Sequence, residues 1–439
     1  MGSAEVDSPT SGSGGSASGN GVQVDQLVPR QDRRATGDLV GDLRSAAAKF
    51  RPFDDRVVAF VADLARNLRR DPDCRRNPAI AALAFWIRPA NLERLRQTYA
   101  SKTQTDGVVL APRGVVFHMP PTNVDTLFVY SWLMSALAGN ANVVRISPSA
   151  TDGDTALVLS IIGRSLEEHP EVGATMSFVS YGHDEAITEA LSNADVRVIW
   201  GGDETVRSIR RIPMNPLGIE LTFADRFSMA ALDAATVDAL GDDALDELAR
   251  QFFNDAYWFD QLGCSSPRIV FWRGTEETTE ASQQRFIKAL QRRVTAEGYD
   301  APVGAVMAKL SKSAAMAVDG TVNTVSWVDP NVTIVDQRDN ADVDRNTPGA
   351  GMFSFRRVDD LSDIAPHIER RDQTLSYFGF DAKELQGLIT ELNGAGIDRV
   401  VPVGDALRFD HIWDGWDLLD VFGRRVTVRQ AEQRGSEFS

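Results

Sequence analysis

Residues 114–146 read GVVFHMPPTNVDTLFVYSWLMSALAGNANVVRI. The apolar, β-branched run 114–118 predicts a strand, the apolar stretch 125–138 a helix, and 142–146 a second strand. The alternation continues with helices at 152–168, 185–192 and 204–211 and strands at 176–181 and 196–200. This succession is typical of a doubly wound α/β fold, in which helices cover both faces of a parallel sheet. Ligands in such folds bind beyond the carboxyl ends of the strands.

A second α/β unit begins near Phe227. We expect helices at 237–253, 276–297 and 361–369, strands at 269–272, 321–327, 332–335 and 351–356, and less regular structure across 301–346. Because 439 residues exceed one ordinary core, the chain is divided into several parts. These are a disordered Ser/Gly-rich tail at 1–36, a first α/β domain with N-terminal helices at 37–226, a second at 227–400, and a C-terminal segment at 401–439. The last segment is expected to return to the first domain or to form an oligomer contact.

The composition excludes several classes of protein. Lys and Arg number 46 against 62 Asp and Glu, and the net charge of −16 argues against non-specific nucleic-acid binding. The longest apolar-rich run, 126–139, is too short to span a bilayer, so we expect no membrane insertion. The N-terminus lacks the apolar segment of a signal peptide, and two distant cysteines make no disulfide framework. A cytoplasmic protein fits these observations.

The segment around Cys264 is the most informative about chemistry. Gly263-Cys264-Ser265-Ser266 precedes the predicted strand 269–272. A thiol on such a turn, with backbone N–H groups beside it, can attack a carbonyl and stabilise the resulting oxyanion. The alternative is a buried structural cysteine, which is the commoner fate of a free thiol.

Other candidate site residues follow strands of the first domain. Asn123 can project its carboxamide into a site, although an asparagine there also serves as a helix N-cap. Arg145 and Ser147 stand at the end of strand 142–146, where a ribose or phosphate binds, and a surface arginine before a Ser-Pro turn explains them equally well. The turn at Gly201 and Gly202 offers backbone donors to a pyrophosphate.

Two acidic features of the first domain have more than one interpretation. The helix after Gly202 begins with Asp203 and Glu204, which satisfy the helix dipole and can discourage an anion. Glu220 lies between apolar neighbours and is either a general base with a raised pKa or the partner of an arginine. The five histidines contain no pair at metal-ligand spacing.

The order of the motifs resembles the aldehyde dehydrogenase superfamily, and within it the LuxC-type acyl-CoA reductases, which supply aldehyde to bacterial bioluminescence. The matching segments together span residues 107–415. They are GVVFH at 114–118, PTN at 121–123, GNANVVR at 139–145, YWFDQLGCSSP at 257–267, GIDRVVPVG at 396–404 and FDHIWDG at 409–415.

The resemblance implies an aldehyde-dehydrogenase-like fold, with a Rossmann-type cofactor-binding domain at 37–226 and a catalytic domain at 227–400. It implies that Cys264 is the nucleophile and that Asn123 and the Cys264 backbone N–H form the oxyanion hole. It places Gly201 and Gly202 at the phosphate loop. The set of implied cofactor-binding residues is Arg145, Ser147, Gly201, Gly202 and Thr205.

Glu220 matches the base position of aldehyde dehydrogenases that hydrolyse their thioester. Those enzymes carry a Leu-Glu-Leu-Gly-Gly motif, whereas Thr222 and Phe223 replace the two glycines here. The resemblance therefore leaves the role of Glu220 open.

The implied reaction is the NADPH-dependent reduction of a fatty acyl thioester to an aldehyde through a thioacyl enzyme on Cys264. The expected partners are an acyl-CoA or acyl carrier protein thioester, an acyl-transferring or acyl-activating protein, and further copies of the chain in a homo-oligomer. Two alternatives stay open. One is a CoA-independent aldehyde dehydrogenase with Glu220 as base, and the other is a non-catalytic scaffold that docks an acyl-carrier or ligase partner.

Overall fold

The computed structural model describes residues 21–103, 107–121, 127–150, 153–338 and 341–429. Their strands are β1 Gln23–Val28, β2 Asp32–Ala35, β3 Val108–Pro112, β4 Val115–Met119, β5 Ala141–Ile146, β6 Met176–Ser180, β7 Val196–Trp200, β8 Ile219–Phe223, β9 Phe227–Asp233, β10 Pro267–Arg273, β11 Val322–Asp329, β12 Val332–Gln337, β13 Met352–Val358, β14 Asp372–Phe378, β15 Arg399–Pro402, β16 Ile412–Trp413, β17 Trp416–Asp417 and β18 Gly423–Thr427.

The helices of the same residues are α1 Thr36–Ala47, α2 Asp55–Arg70, α3 Pro72–Arg76, α4 Pro78–Trp86, α5 Pro89–Thr103, α6 Leu127–Leu137, α7 Gly153–Glu168, α8 Pro170–Gly173, α9 Glu185–Leu191, α10 Asp203–Arg210, α11 Ala234–Asp238, α12 Asp242–Tyr257, α13 Glu276–Ala296, α14 Val303–Val318, α15 Ala382–Leu392 and α16 Leu418–Val421. Short 3-10 helices span Pro148–Ala150 and Leu361–His367.

Two sheets organise the molecule. The first has the strand order β2-β1-β6-β5-β4-β7-β8 and is parallel from β6 to β8. The second has the order β11-β12-β13-β10-β9-β14-β15 and is parallel from β12 to β15. The predicted α/β fold with parallel sheets is therefore confirmed.

The first sheet is apolar because helices cover both of its faces. All five residues of β4 and all five of β7 are buried. One face packs against α2, α4, α6 and α7, and the other packs against α1 and α9. Continuous apolar strands are what such two-sided burial requires.

Only three residues, 224–226, connect β8 of the first sheet to β9 of the second. The C-terminal strand β18 runs back to the first half of the chain and pairs antiparallel with β3. The short link holds the carboxyl ends of β7 and β8 close to the amino ends of β9 and β10. A cleft forms where these ends meet.

Part of the segment predicted as a disordered tail is folded. Strand β1 pairs with β2 and also with β6, so it extends the first sheet. Val24, Gln26 and Val28 alternate along β1 and are buried. The Ser/Gly-rich composition that suggested disorder ends before this alternation begins, and the prediction for residues 23–35 is wrong.

The second domain is more regular than predicted. Helix α14 occupies part of the segment 301–346, and its buried Lys309 donates hydrogen bonds to the carbonyls of Pro330, at 2.6 Å, and Ala350, at 2.7 Å. Strand β14 and helix α15 also follow the predicted helix 361–369, in a part of the second domain for which no element was predicted. The predicted helix 237–253 is divided into α11 and α12, with Gly241 as the N-cap of the second.

Candidate active site

A cleft of about 680 Å³ lies between the two sheets and contains Cys264. Trp200 and Phe223, at the carboxyl ends of β7 and β8, line one side. Phe227 and Arg268, at the starts of β9 and β10, line the other. Several charged side chains, among them Arg226, Arg345 and Asp414, also line the cleft, and its volume lies in the range of small-molecule sites.

Cys264 stands on a tight turn at the edge of this cleft. The turn is closed by a 3.0 Å hydrogen bond from the Ser266 N–H to the Gly263 carbonyl. A side chain at Gly263 would place its Cβ 3.0 Å from Ser266 Oγ and 3.2 Å from Leu407 Cδ2, which explains the glycine. The hydroxyl of Ser228 donates to the Cys264 carbonyl at 2.6 Å and fixes the orientation of the turn.

The residues before the turn are fixed by Gln261, which is fully buried. Its amide donates to the carbonyls of Pro267, at 2.8 Å, and Met352, at 3.1 Å, and its oxygen accepts from the Gly351 N–H at 3.0 Å. Asp260 and Gln261 have φ angles of 50° and 62°, a left-handed conformation that is uncommon for side chains of this size. These hydrogen bonds hold the cysteine turn in one position.

The Cys264 side chain is partly buried. Burial and the nearby charge of Asp414 raise the pKa of this thiol to about 11. Hydrogen bonds from Ser265 and Gln373 and the charge of Arg399 act in the opposite direction. A thiol at this position would need a group that removes its proton before it could act as a nucleophile.

Most charged side chains in the cleft are already paired. Arg226 lies 3.1 Å from Asp398 and 3.3 Å from Asp414, and Arg345 lies 2.6 Å from Asp372. Arg268 differs, because among the described residues no acid lies within ion-pairing distance of it and its buried Nε has no hydrogen-bond acceptor. Its guanidinium carbon lies 6.0 Å from the centre of the Phe227 ring. Arg268 is therefore a positive charge available to an anion or to the thiolate.

The predicted oxyanion hole can be described only in part. Asn123 lies outside the described residues. The backbone N–H of Cys264 donates to none of the described residues, so it is available to a ligand in the cleft.

The structure brings Gly201 and Gly202 to the same cleft as Cys264. Gly202 is the N-cap of α10, and Asp225 accepts a hydrogen bond from the Asp203 N–H at 3.0 Å. A Cβ on Gly202 would lie 3.2 Å from the Asp225 carboxylate, and a Cβ on Gly201 the same distance from Thr205. Because neither glycine carries a side chain, a ligand can approach the backbone of this turn closely. The Asp225 carboxylate, however, already accepts a hydrogen bond from one of the N–H groups at the start of α10. Thr205 itself is exposed on the first turn of α10.

Arg145 and Ser147 lie elsewhere on the carboxyl edge of the first sheet. The Arg145 guanidinium donates to the carbonyls of Tyr181, at 3.3 Å, and Gly182, at 3.1 Å, and lies 5.1 Å from the centre of the Tyr181 ring. The Ser147 hydroxyl is 2.8 Å from that of Ser149. Neither Arg145 nor Ser147 lines the cleft that contains Cys264.

Glu220 is not brought to Cys264. Its carboxylate lies 2.5 Å from the buried guanidinium of Arg197 and 2.8 Å from Arg210, and it does not line the cleft. The residue is the partner of arginines, as one of the two sequence interpretations has it. Both oxygens of the carboxylate already accept hydrogen bonds from guanidinium groups, Oε2 from Arg197 and Oε1 from Arg210. The geometry therefore corrects the assignment of Glu220 as a catalytic residue.

The acyl-CoA reductase (LuxC) family matches residues 90–425, which is most of the sequence. The chain belongs to this family.

Relatives of the LuxC-family chain include long-chain acyl-protein thioester reductases. That of Aliivibrio fischeri is 24% identical over 303 residues, which make up 67% of this chain and 59% of the relative. That of Photorhabdus luminescens is 25% identical over 304 residues, 67% of this chain and 58% of the relative. The chain thus spans less than two thirds of the length of these relatives.

The solved structures similar to the chain are aldehyde dehydrogenases. The indole-3-acetaldehyde dehydrogenase AldA of P. syringae, in complex with NAD+ and IAA, has a TM-score of 0.63 at 13% identity and covers 92% of this chain and 93% of its own. The aldehyde dehydrogenase KauB of Pseudomonas aeruginosa has a TM-score of 0.64 at 13% identity, and the match covers 94% of this chain and 93% of KauB. These likenesses establish an aldehyde-dehydrogenase-like fold for this member of the LuxC family.

A second cavity, of about 420 Å³, lies on the other side of the cysteine turn. Trp86, Trp258, Leu407 and Phe409 line it, and the Trp86 and Phe409 rings are 5.8 Å apart. Leu407 is also the residue that would contact a Cβ on Gly263. The turn of this LuxC-family chain therefore has a charged cleft on one side and an aromatic cavity on the other.

The predicted site lacked Arg268 and Asp414, which line the cleft, and Gln373, which is buried beside it. The FDHIWDG segment that contains Asp414 contributed to the family resemblance but received no chemical role. Gln373 has no sequence signal, because only the pairing of β14 with β9 brings it beside the cysteine turn. Arg268 follows Cys264 by four positions and could have been found as a basic residue opening an apolar strand.

No helix among the described residues has the length and apolar character needed to cross a bilayer. No cluster of three or more His, Cys, Asp or Glu side chains in the described ranges is placed to hold a metal ion.

Proposed function

We propose that this protein reduces a fatty acyl thioester to the aldehyde, with NADPH as reductant and a thioacyl enzyme on Cys264 as intermediate. The observation that carries the proposal is the single cleft in which Cys264 faces the Gly201-Gly202 turn. Family membership and the names of the relatives support the same reaction. The donor thiol is CoA or an acyl carrier protein, which present the same thioester group.

The residues along the carboxyl edge of the first sheet fit a dinucleotide. Gly201 and Gly202 leave space for a pyrophosphate, and Arg145, Ser147 and Thr205 are the proposed contacts for the rest of the cofactor. The sheet order places β5, which ends near Arg145, two strands from β7, or about 10 Å away at the usual strand spacing. The aldehyde dehydrogenases of similar fold include complexes with NAD+ and with NADP. When bound, this group would supply the hydride that reduces the thioacyl carbon.

The chain's own residues supply the covalent chemistry. The Cys264 thiolate attacks the thioester carbon, and the Cys264 backbone N–H, with Asn123 as the second proposed donor, stabilises the tetrahedral oxyanion. The donor thiol leaves and the acyl group stays on the sulfur. After reduction, the hemithioacetal releases the aldehyde and regenerates the Cys264 thiolate.

The position of Glu220 favours reduction over hydrolysis. In the alternative reaction, which oxidises an aldehyde to an acid, a base activates water against the thioacyl enzyme. Glu220 is bound by Arg197 and Arg210 and lies away from the cleft lining, so it does not support that role. Longer survival of the acyl enzyme suits a reductase.

The aromatic cavity is the proposed site of the fatty acyl chain. It adjoins the cysteine turn through Leu407, and its lining includes two tryptophans and two phenylalanines beside charged side chains such as Arg88, Arg94 and Asp405. An apolar chain in this cavity would leave the carbonyl at Cys264 and the charged cleft free for the cofactor.

The test is mass spectrometry of the intact protein after incubation with saturated acyl-CoAs of graded length and no reductant. We expect one acyl group on Cys264, its loss in Cys264→Ala, and its retention in Cys74→Ala. Cys74 is the matched control because it is 1% exposed, and burial raises its pKa to about 12. Addition of NADPH should release the aldehyde and remove the acyl group. An unmodified wild-type protein would rule out the reaction and favour the scaffold alternative.

A further inference from the structure

A buried carboxylate shares the cleft with Cys264 and has no part in the steps above. Asp414 lies in the hairpin between β16 and β17, and its side chain is 2% exposed. Both Asp414 and Cys264 line the same cavity, and the charge of Asp414 acts directly on the thiol. Few carboxylates are buried so completely without a catalytic or structural reason.

Side chains connect Asp414 to the cysteine turn. The Gln373 amide donates a hydrogen bond to Asp414 Oδ1, and the Gln373 oxygen accepts from the Ser265 hydroxyl at 3.2 Å. Gln373 is fully buried, so this connection is shielded from water. The second oxygen of Asp414 lies 3.3 Å from Arg226 Nε. The carboxylate is therefore held in a fixed position relative to Cys264.

The hairpin explains the backbone conformation of Asp414 but not the identity of its side chain. Asp414 and Gly415 have φ angles of 49° and 73°, as a two-residue Asp-Gly turn requires. Asn and Gly are also common in such turns. The turn alone does not require a buried negative charge.

We propose that Asp414 is the proton carrier of the acylation step, which accepts the proton of the Cys264 thiol and returns it to the departing donor thiol. This role rests on the proposed function and extends it. Among the acids that line the cleft, Asp225 accepts from the Asp203 N–H and Asp344 lies 2.5 Å from Lys312. Asp414 differs from them because Gln373 links its carboxylate to Ser265, the residue next to Cys264.

The protons and bonds balance over the half-reaction. The proton moves from Cys264 Sγ to Asp414, directly or through one water, as the sulfur forms its bond to the acyl carbon. The bond between that carbon and the donor sulfur breaks, and the donor thiolate takes the proton from Asp414. Asp414 ends ionised and Cys264 ends acylated, so the step needs no oxidant or reductant.

The groups around Asp414 suit a carboxyl group that changes charge near neutral pH. Burial raises the pKa of Asp414 to about 6, and the charge of Asp398 also raises it. Arg226 and Gln373 lower the pKa of Asp414 but do not cancel this effect. Below this pH the carboxyl is protonated and cannot accept the thiol proton. The rate of acylation should therefore fall as the pH drops below about 6 and level off above it.

The experiment measures the rate of Cys264 acylation by acyl-CoA, without reductant, from pH 5.5 to 9. For Asp414→Asn we expect a loss of about 100-fold at pH 7, within the usual range of general acid–base catalysis. The loss should shrink toward pH 9, because solvent then deprotonates the thiol. Asp410→Asn is the matched control, since Asp410 lies in the same segment, binds His411 and does not line the cleft.

A second variant guards against a folding defect. Asp414→Gly suits the left-handed turn and leaves a gap where the carboxylate was. Sodium formate should restore acylation in this variant but not in Cys264→Ala. Wild-type rate and pH profile in Asp414→Asn, or no rescue by formate in a folded Asp414→Gly, would overturn the inference alone. Absence of acylation in the wild type would instead refute the proposed function.

Discussion

The guanidinium of Arg197 lies 2.5 Å from the carboxylate of Glu220, with both side chains largely withdrawn from solvent. Arg197 also donates to the Ile212 carbonyl at 2.9 Å, so it joins β7, β8 and the segment after α10. This contact accounts for a carboxylate that lies between apolar neighbours in the sequence. Here it supports the edge of the first sheet.

Replacement of Glu220 should reduce stability and leave acylation intact. Glu220→Gln leaves the Arg197 charge buried without its partner, and we expect the free energy of unfolding to fall by about 3 kcal/mol. Urea denaturation measures this change. Glu204→Gln is the control, because its partner Arg207 is exposed and the change should be below 1 kcal/mol. A large loss of acylation in a folded Glu220→Gln would restore Glu220 to the site.

Removal of Arg268 should make Cys264 less reactive. The unpaired guanidinium attracts the thiolate, so Arg268→Gln should slow alkylation by iodoacetamide at pH 8 about tenfold, equivalent to 1.4 kcal/mol. Arg268→Lys keeps the positive charge, so its rate of alkylation should fall less than that of Arg268→Gln. Arg285→Gln, on the outer side of α13, should leave the rate unchanged. Equal rates in Arg268→Gln and the wild type would show that the charge does not act on the sulfur.

A larger residue at Leu407 should change the preferred acyl chain. Leu407 lines the aromatic cavity next to Gly263, and Leu407→Trp would fill part of it. We expect acylation by the longest acyl-CoAs to fall at least tenfold relative to the shortest. Competition between acyl-CoAs of two lengths, read by mass spectrometry, gives this ratio. Leu217→Trp is the control, since Leu217 is 94% exposed. An unchanged ratio would show that the acyl chain does not bind in the aromatic cavity.

His118 should make the fold sensitive to acid. Burial lowers its pKa from 6.5 to about 4, although Asn142 acts in the opposite direction. Because the unfolded chain binds a proton that the fold excludes, the free energy of unfolding should fall as the pH drops from 6.5 to 4. The loss from this residue is about 3 kcal/mol. His118→Gln should flatten the pH profile of the free energy of unfolding between pH 4 and 6.5. The control variant His183→Gln, at an exposed position, should leave this profile unchanged. Parallel profiles for wild type and His118→Gln would contradict the assignment.

The sequence was most informative where apolar patterns or motifs are local. Strands β4, β5 and β7 are largely apolar runs, interrupted by single polar residues such as His118, Asn142 and Arg197, and their prediction holds because both faces of the sheet are covered. Cys264 and the Gly201-Gly202 turn were recognisable because their residue types and flanking elements are specific. The structure places them in one cleft, as expected for the carboxyl edge of such a sheet.

Features that depend on distant contacts could not be predicted. The Ser265, Gln373 and Asp414 contacts join residues that are 108 and 41 positions apart in sequence. The ion pairs of Glu220 depend on the register between β7 and β8. Helix α14 lacks a strong apolar repeat, and its buried lysine is satisfied only by carbonyls from other segments.

Strand β1 has a consequence for how the molecule avoids self-association. By pairing with β6, it covers hydrogen-bonding groups that would otherwise form a bare edge of the parallel sheet. The outermost strand, β2, carries Asp32, Arg33 and Arg34, whose charges discourage another backbone from adding to the sheet. A shortened protein that starts at residue 37 would lose both protections, and aggregation through the uncovered strand would be its expected failure.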